Sequence, residues 1–436
     1  MDYKEHRLPW LATPYAAVTF FSVVTLIPYL LAEDNIIFTL GRVVGPLEHF
    51  LVAGLIVAVL FCVTHAGYKR IGRRSFFPLR AFTSHRGRSR FAEWAPGFAR
   101  ATLWACAFIS VIVAAYTFVA YRSGSFLTAR AALEFQGVGV LVRLYIVALP
   151  VYLVSIGRIT RESVLAVLVL FVSIFVRAVA LSERSAVLEF LIVVSICYQG
   201  ITRRSLFRYV LAALPILPLY MGLALRDRLV TQGVRLTGDT LSAIYFELNS
   251  TLIYYADTIN KLYAGLFEGF TSDIWYFADP FYKLLGAGKT TDVGVGTKAL
   301  LVELHSAGFT DPGLSNPGGL FQDFNDFSYF FIPIVIAKFY IFGRLGRLFS
   351  EEDPIGVCLY PISFVAIFEF ARFNYFYNGY GFLLGLTFIL FAIVVRVSGR
   401  RTGQRHSFQQ VMPIGSRAER RKRATLSMQR SDEMRP

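Results

Sequence analysis

Cysteine, charge and recognisable catalytic motifs are all scarce in this chain. The four cysteines (Cys62, Cys106, Cys197 and Cys358) lie inside apolar runs, with no zinc-ligand spacing and no pairing across a loop. That pattern excludes a disulfide-stapled domain and a zinc module, and it reads as small core hydrophobes. Charged residues make up only 17% of the 436, against about 25% in a soluble protein. There is no P-loop, no dinucleotide-binding glycine pattern, no histidine-rich metal site and no nucleophile elbow. The glycines between Gly286 and Gly296 do not match a phosphate-loop spacing. A nucleotide-driven enzyme or pump is therefore not expected. No internal repeat suggests an inverted-repeat transporter.

Apolar sequence takes the place of what is missing. Hydrophobic residues reach 55% and the mean hydropathy is +0.52. The surplus is gathered into runs of roughly 17–22 residues, the length that crosses a hydrocarbon core of about 30 Å. Barrel strands would alternate apolar and polar residues, so continuous runs imply helices. The expected fold is all-α: a polytopic membrane bundle of about ten helices with a large, partly helical extracytoplasmic loop.

The expected spans are Pro14–Ala32, Pro46–Ala66, Ala101–Tyr121, Val138–Ile156, Ser163–Leu181, Ala186–Gln199, Tyr209–Leu225, Phe327–Phe342, Pro354–Phe370 and Phe382–Val397. The first reads as a retained helix, because no small-residue cleavage site follows it. Pro215 and Pro218 are expected to kink the seventh. The chain thus divides into residues 1–225 (seven spans), 226–326 (the loop), 327–397 (three spans) and a basic tail, 398–436, expected to be disordered.

The net charge of +15 is explained by its placement. Lys and Arg gather in the head, in Lys69–Arg100, at Arg158/Arg161, at Arg203/Arg204/Arg208, at Arg344/Arg347 and in the tail. These are alternate loops, so all fall on one side, which the positive-inside rule makes cytoplasmic. Both termini are then cytoplasmic and the loop 226–326 faces outward. That loop holds 7 Lys and Arg against 12 Asp and Glu. The basic surplus is a topology signal and an attraction to anionic lipid, not a nucleic-acid footprint. Within the loop, Leu241, Ile244, Tyr245, Leu248, Leu252 and Tyr255 recur at near-helical spacing. Thr240–Glu268 is expected to be an amphipathic helix lying at the membrane surface.

Ionisable residues at depth or at the outer rim are expensive and mark candidate sites. Arg177, Glu183, Arg184, Arg226, Asp227, Arg228, Glu369 and Arg372 fall at the outer ends of the fifth, sixth, seventh and ninth spans. Their arginines, Arg177, Arg184, Arg226, Arg228 and Arg372, suit a diphosphate, because the guanidinium fork makes bidentate contacts with phosphate oxygens. The bland alternative is snorkelling or pairing with neighbours such as Glu183 and Asp227. Arg143 fits a helix–helix contact or a ligand role. Lys338 reads as snorkelling toward the cytoplasmic end of its span. Glu48 and His49 read as surface residues.

Glu303 and His305 precede the eighth span, and His305 suits a general base near neutral pH. Asp323 and Asp326 read as helix-opening caps, with Asp323 and Glu369 kept among the candidate acid–base groups. Trp275, Tyr375 and Tyr377 suit stacking on sugar faces, or an aromatic belt.

Several of these features together resemble the bacterial oligosaccharide repeat-unit polymerases (Wzy-type O-antigen and exopolysaccharide polymerases), which are related in layout to O-antigen ligases. The resemblance covers roughly Arg177 to Arg372. It rests on the Ser182-Glu183-Arg184-Ser185 turn, the long loop after the seventh span, the segment Asn316-Pro317-Gly318-Gly319-Leu320-Phe321, the helix ending in Phe342-Gly343-Arg344, and Arg372. It implies metal- and cofactor-independent inverting glycosyl transfer on the outer face of the bacterial cytoplasmic membrane. Donor and acceptor would be glycans on polyprenyl diphosphate, with a flippase and a chain-length regulator as possible partners. It also implies that Arg184 and Arg372 hold diphosphate. His305 with Gly318/Gly319 is similar to the ligases' loop histidine and glycine pair, at a different spacing. A ligase, another lipid-linked sugar transferase, and a non-enzymatic exporter or flippase remain as alternatives.

Overall fold

A computed structural model of the chain describes residues 8–31, 47–69, 85–124, 138–181, 184–209, 258–269, 271, 318–371, 374, 376, 381, 383–391 and 393. Among them there is no strand. The helices are α1 (Pro14–Leu31), α2 (Leu47–Lys69), α3 (His85–Ser123), α4 (Val138–Arg143), α5 (Tyr145–Ile156), α6 (Arg161–Leu181) and α7 (Arg184–Thr202). After these come helical residues 258–268 (α8), then α9 (Gly319–Phe327), α10 (Phe331–Ser350) and α11 (Pro354–Phe368). Residues 383–391 are helical as well. The expected seventh span lies outside the described residues.

Four stretches are long and apolar enough to cross a membrane: Leu47–Lys69, Ala95–Ser123, Arg161–Leu181 and Gly319–Ser350, the last of them composed of two α-helices that part at Ser328. Burial says what surrounds them. The 18-residue core of α2 has a mean hydropathy of 2.3, yet only 28% of it is buried. Leu51, Leu55, Phe108 and Val119 stand more than half exposed. Water does not tolerate an apolar surface of that extent; lipid does. This is a membrane protein.

The fourth expected span is interrupted. Leu144 separates α4 from α5, and Gly157, at φ +67°, ends α5 by returning its N–H to the Leu153 carbonyl. Three residues on, Thr160 and Ser163 exchange backbone-to-hydroxyl hydrogen bonds that cap α6. Glu162, in that first turn, draws three helices together: it accepts from Arg100 Nε and Trp104 Nε1 of α3 and from Tyr152 of α5.

Lipid offers helices no hydrophobic reason to associate, so close backbone approach and aromatic packing must supply it. The α2–α10 crossing shows how. A Cβ on Gly67 would run into the Tyr340 carbonyl oxygen, and one on Gly343 into that of Thr64. Aromatic packing ties α1 to the bundle, with Phe20 stacked on Phe368 at 3.7 Å between centroids. Tyr15 bonds His65 Nδ1 at 2.9 Å. Tyr360, fully buried, donates to the Ala12 carbonyl at 2.8 Å. Asp353 caps α11 by accepting from the Ile355 N–H, and Arg203 reaches the Ser350 carbonyl at 3.2 Å. The basic residues Lys69, Arg203 and Arg347 thus share one end of the bundle, and α8, α9 and the end of α11 share the other.

Two expectations need correction. The eighth span is not a helix from Phe327 to Phe342. α9 and α10 are separate helices, broken at Ser328 with φ +50° and ψ −140°, and α10 runs on to Ser350. Nor does the described part of the loop helix lie flat on a surface. Residues 258–262 of α8 are all buried, and a Cβ on Gly265 would meet the rings of Phe321 and Phe324 of α9.

Replacing Gly343 with Ala is expected to cost about 1–3 kcal/mol through overpacking. The measurement is a thermal unfolding midpoint in detergent, with Gly54→Ala as the control, since nothing lies within 4 Å of a Cβ there. Equal midpoints for the two variants would refute the close crossing.

Candidate functional site

Buried polar groups collect where α8, α9, α10 and the end of α11 meet. The glycine pair makes the meeting possible. Gly318 adopts φ +78°, a conformation glycine enters without strain. A Cβ on it would lie 2.9 Å from the Thr258 Cβ of α8. The next residue, Gly319, donates its N–H to the Phe370 carbonyl at 2.9 Å. A side chain at Gly319 would stand 2.6 Å from that same oxygen. One glycine therefore turns the chain, and the other lets α9 dock backbone to backbone on the end of α11.

Docked in this way, α9 carries Gln322 and Asp323 inward. Asp323 has no solvent exposure. Its Oδ1 accepts from Lys338 Nζ of α10 at 2.6 Å and from Asn374 Nδ2 at 2.7 Å. The backbone N–H of Asn374 donates to Gln322 Oε1 at 2.6 Å. The Lys338 ammonium lies 5.9 Å from the Phe370 ring centroid and 5.7 Å from that of Phe376, within cation–π range. Along one unbroken helix, residues 323 and 338 would stand about 22 Å apart. The ion pair exists because the chain reverses at Ser328, making α9 and α10 a helical hairpin.

Lys338 is thus not a snorkelling lysine. Its side chain is only 15% exposed. Because α10 runs on to Ser350, Lys338 sits in its first half, away from the basic end. Asp323 is likewise no cap: it lies inside α9, and the Gly318 N-cap position makes no side-chain bond. His49 is also no surface residue. It is 4% exposed, bonds Asn260 Oδ1 through Nδ1 at 3.0 Å and stacks on Tyr263, which ties α2 to α8. Glu48 is exposed, as expected. Lys261, one turn beyond Thr258, is 1% exposed.

A second polar cluster crosses α4, α6 and α7. Arg143 Nε lies 3.5 Å from Glu189 Oε2, and the Glu189 side chain is 1% exposed. Arg177, 7% exposed, is close enough, with Arg143 and Glu189, to act electrostatically on the buried Tyr145. Arg143 therefore makes a helix–helix contact.

Of the candidate acid–base residues, Asp323 and Glu369 are described. Glu369 follows the last turn of α11, is 4% exposed and immediately precedes Phe370, on which α9 docks. Of the candidate arginines, Arg177 is buried in the second cluster, and Arg184 opens α7. Glu303, His305, Arg226, Arg228, Arg372, Trp275, Tyr375 and Tyr377 lie outside the described residues. Among the described residues there is no group of three metal-ligating side chains. Sequence reasoning assigned no role to Asn374, Gln322, Lys261, Asn260 or Glu189. Glu189 and Lys261 could have been found by the rule that charges inside apolar or membrane-facing helices are rarely idle.

No family model matches the chain, nor does any curated protein or solved structure.

Lys338→Met is expected to destabilise the fold by about 3–5 kcal/mol, because it strands a buried carboxylate. The double variant Asp323→Asn/Lys338→Met, which removes both charges, should recover most of that loss. Denaturation of the purified protein measures both. Additive losses would mean that the two side chains do not pair.

Proposed function

We propose that this protein is a membrane glycosyltransferase. It polymerises polyprenyl-diphosphate-linked oligosaccharide repeat units into a surface polysaccharide, on the outer face of the bacterial cytoplasmic membrane. One observation carries the reading. The glycine pair of the Asn316–Phe321 segment joins the helix from the long loop to the end of α11, around a buried Asp–Lys pair. Arg372 follows Phe370 by two residues in the sequence. The glycine pair, one of the features on which the resemblance rests, thus lies at the end of the bundle opposite the basic one. The reading places that end outside, with about ten spans and both termini in the cytoplasm.

The chemistry is consistent with what the chain offers. Polyprenyl diphosphate leaves readily once its charge is neutralised, and fixed guanidinium groups in a water-poor cleft stabilise the charge that develops on it. Arg177, Arg184, Arg226, Arg228 and Arg372 are assigned to that task. A carboxylate or His305 takes the proton of the acceptor hydroxyl as that oxygen bonds the anomeric carbon. No metal is needed for either step. An O-antigen ligase would share this machinery and differ in its acceptor.

Deletion in the host, followed by gel analysis of surface glycan, tests the reading. The expected result is loss of the long-chain ladder with the single-repeat band retained. Arg184→Ala and Arg372→Ala should each reproduce that phenotype, with lipid-linked single units accumulating on the outer leaflet. Units trapped on the inner leaflet would indicate a flippase instead. An unchanged ladder would dispose of the proposal.

A further inference from the structure

We infer that the exposed rings of Phe267, Tyr329 and Phe330, with the Glu268 carboxylate beside them, form a platform for the sugar rings of the repeat unit, apart from the groups that hold its diphosphate. The inference deepens the proposed function and rests on it, since that reading makes a glycan the substrate and puts this end of the bundle outside.

Tyr329 and Phe330 belong to the short turn Ser328–Phe330 between α9 and α10, and Phe267 and Glu268 close α8. Tyr329 is 64% exposed, Phe330 74% and Phe267 59%. Two of the rings are held from behind. The Tyr329 hydroxyl donates to the Leu266 carbonyl at 3.1 Å, which sets its side chain against the turn of α8 that carries Phe267. Phe324 meets the Tyr329 ring edge to face, with centroids 5.8 Å apart. Phe267 lies 4.5 Å from Tyr263, itself stacked on His49. Rings fixed before binding lose little freedom when a ligand stacks on them. A tyrosine of an interfacial belt sends its hydroxyl to water; this one turns it to the chain and leaves the ring bare. Ser328, at φ +50° and ψ −140°, gives the turn a backbone conformation that residues with side chains rarely enter, and strain of that kind gathers at ligand clamps.

Charge selects the occupant. Glu268 is exposed, and a carboxylate is costly in hydrocarbon, so the platform stands in water or among headgroups rather than among acyl chains. Residues 263–270 and 324–332 carry Glu268 and Asp326 and no Lys or Arg. Such segments repel a phosphate. They suit a neutral sugar, whose C–H face packs on an aromatic ring and whose hydroxyls donate to a carboxylate.

Substitution of the rings tests the inference. The wild-type protein, Phe267→Ala, Tyr329→Ala, Phe330→Ala and Phe330→Trp are reconstituted in lipid nanodiscs. The probes are single repeat units extracted from the deletion strain, used lipid-linked for elongation and, released from their carrier by mild acid, for binding followed by saturation-transfer NMR. Each Ala substitution should weaken binding of the released glycan by about 10-fold, the scale of one aromatic contact. KM for elongation should rise in parallel, with kcat changed little. Phe330→Trp, which keeps a stacking face, should stay within about threefold of the wild type. Rings that serve only as a lipid anchor would leave glycan affinity and KM unmoved in all three Ala variants, and that result would overturn the inference while the proposed function stands. A wild-type protein that does not elongate the lipid-linked units sinks the proposed function, and the inference with it.

Discussion

A carboxylate inside a membrane protein needs a partner, and the pairing of Asp323 with Lys338 organises one end of this molecule. Each charge alone would be costly in a low-dielectric surrounding, and the pair is tolerable only with good geometry and further hydrogen bonds. Asn374 supplies one of those bonds. The consequences run outward. The pair closes only with α9 folded back on α10 at Ser328, an arrangement that also sets Gly319 against Phe370 and lets Gln322 take hold of the Asn374 backbone. Non-helical backbone at membrane depth is tolerated only where protein buries it. The Gly318 turn is packed against protein, with Thr258 and Ala371 beside it.

The opposite end of the bundle is built on a different footing. There the crossing of α2 and α10 depends on Gly67 and Gly343, and the polar contacts are capping and bridging bonds among Glu162, Asp353, Arg203 and their neighbours. The contrast suits a molecule that needs a firm frame at one end and placed charges at the other. Between the ends, outward-facing leucines, valines and phenylalanines address lipid.

Much of this was legible in the sequence, and the parts that were not share a cause. Long apolar runs revealed the helices at Pro14, Leu47, Arg161 and Pro354, because run length is a local property. The Gly318/Gly319 pair stood out, but its two separate reasons, a left-handed turn and a close approach to Phe370, depend on a helix fifty residues on. Lys338 was misread because the span was ended at Phe342. With the helix carried to Ser350, the same lysine falls in the first half and can no longer snorkel to the basic end. The partnership of Asp323 and Lys338 was invisible, since fifteen residues suggests distance until Ser328 breaks the helix. Glu189 was hidden by the apolar run around it, and its partner Arg143 lies on a helix that the sequence leaves unbroken at Leu144.

An experimental density map of the protein in a lipid nanodisc tests the central claim most directly, because the hairpin and the ion pair stand or fall together. The predicted result is a chain break at Ser328 with the Lys338 ammonium within hydrogen-bonding distance of the Asp323 carboxylate. A continuous helix through residues 319–350, holding the two groups about 22 Å apart, would contradict it.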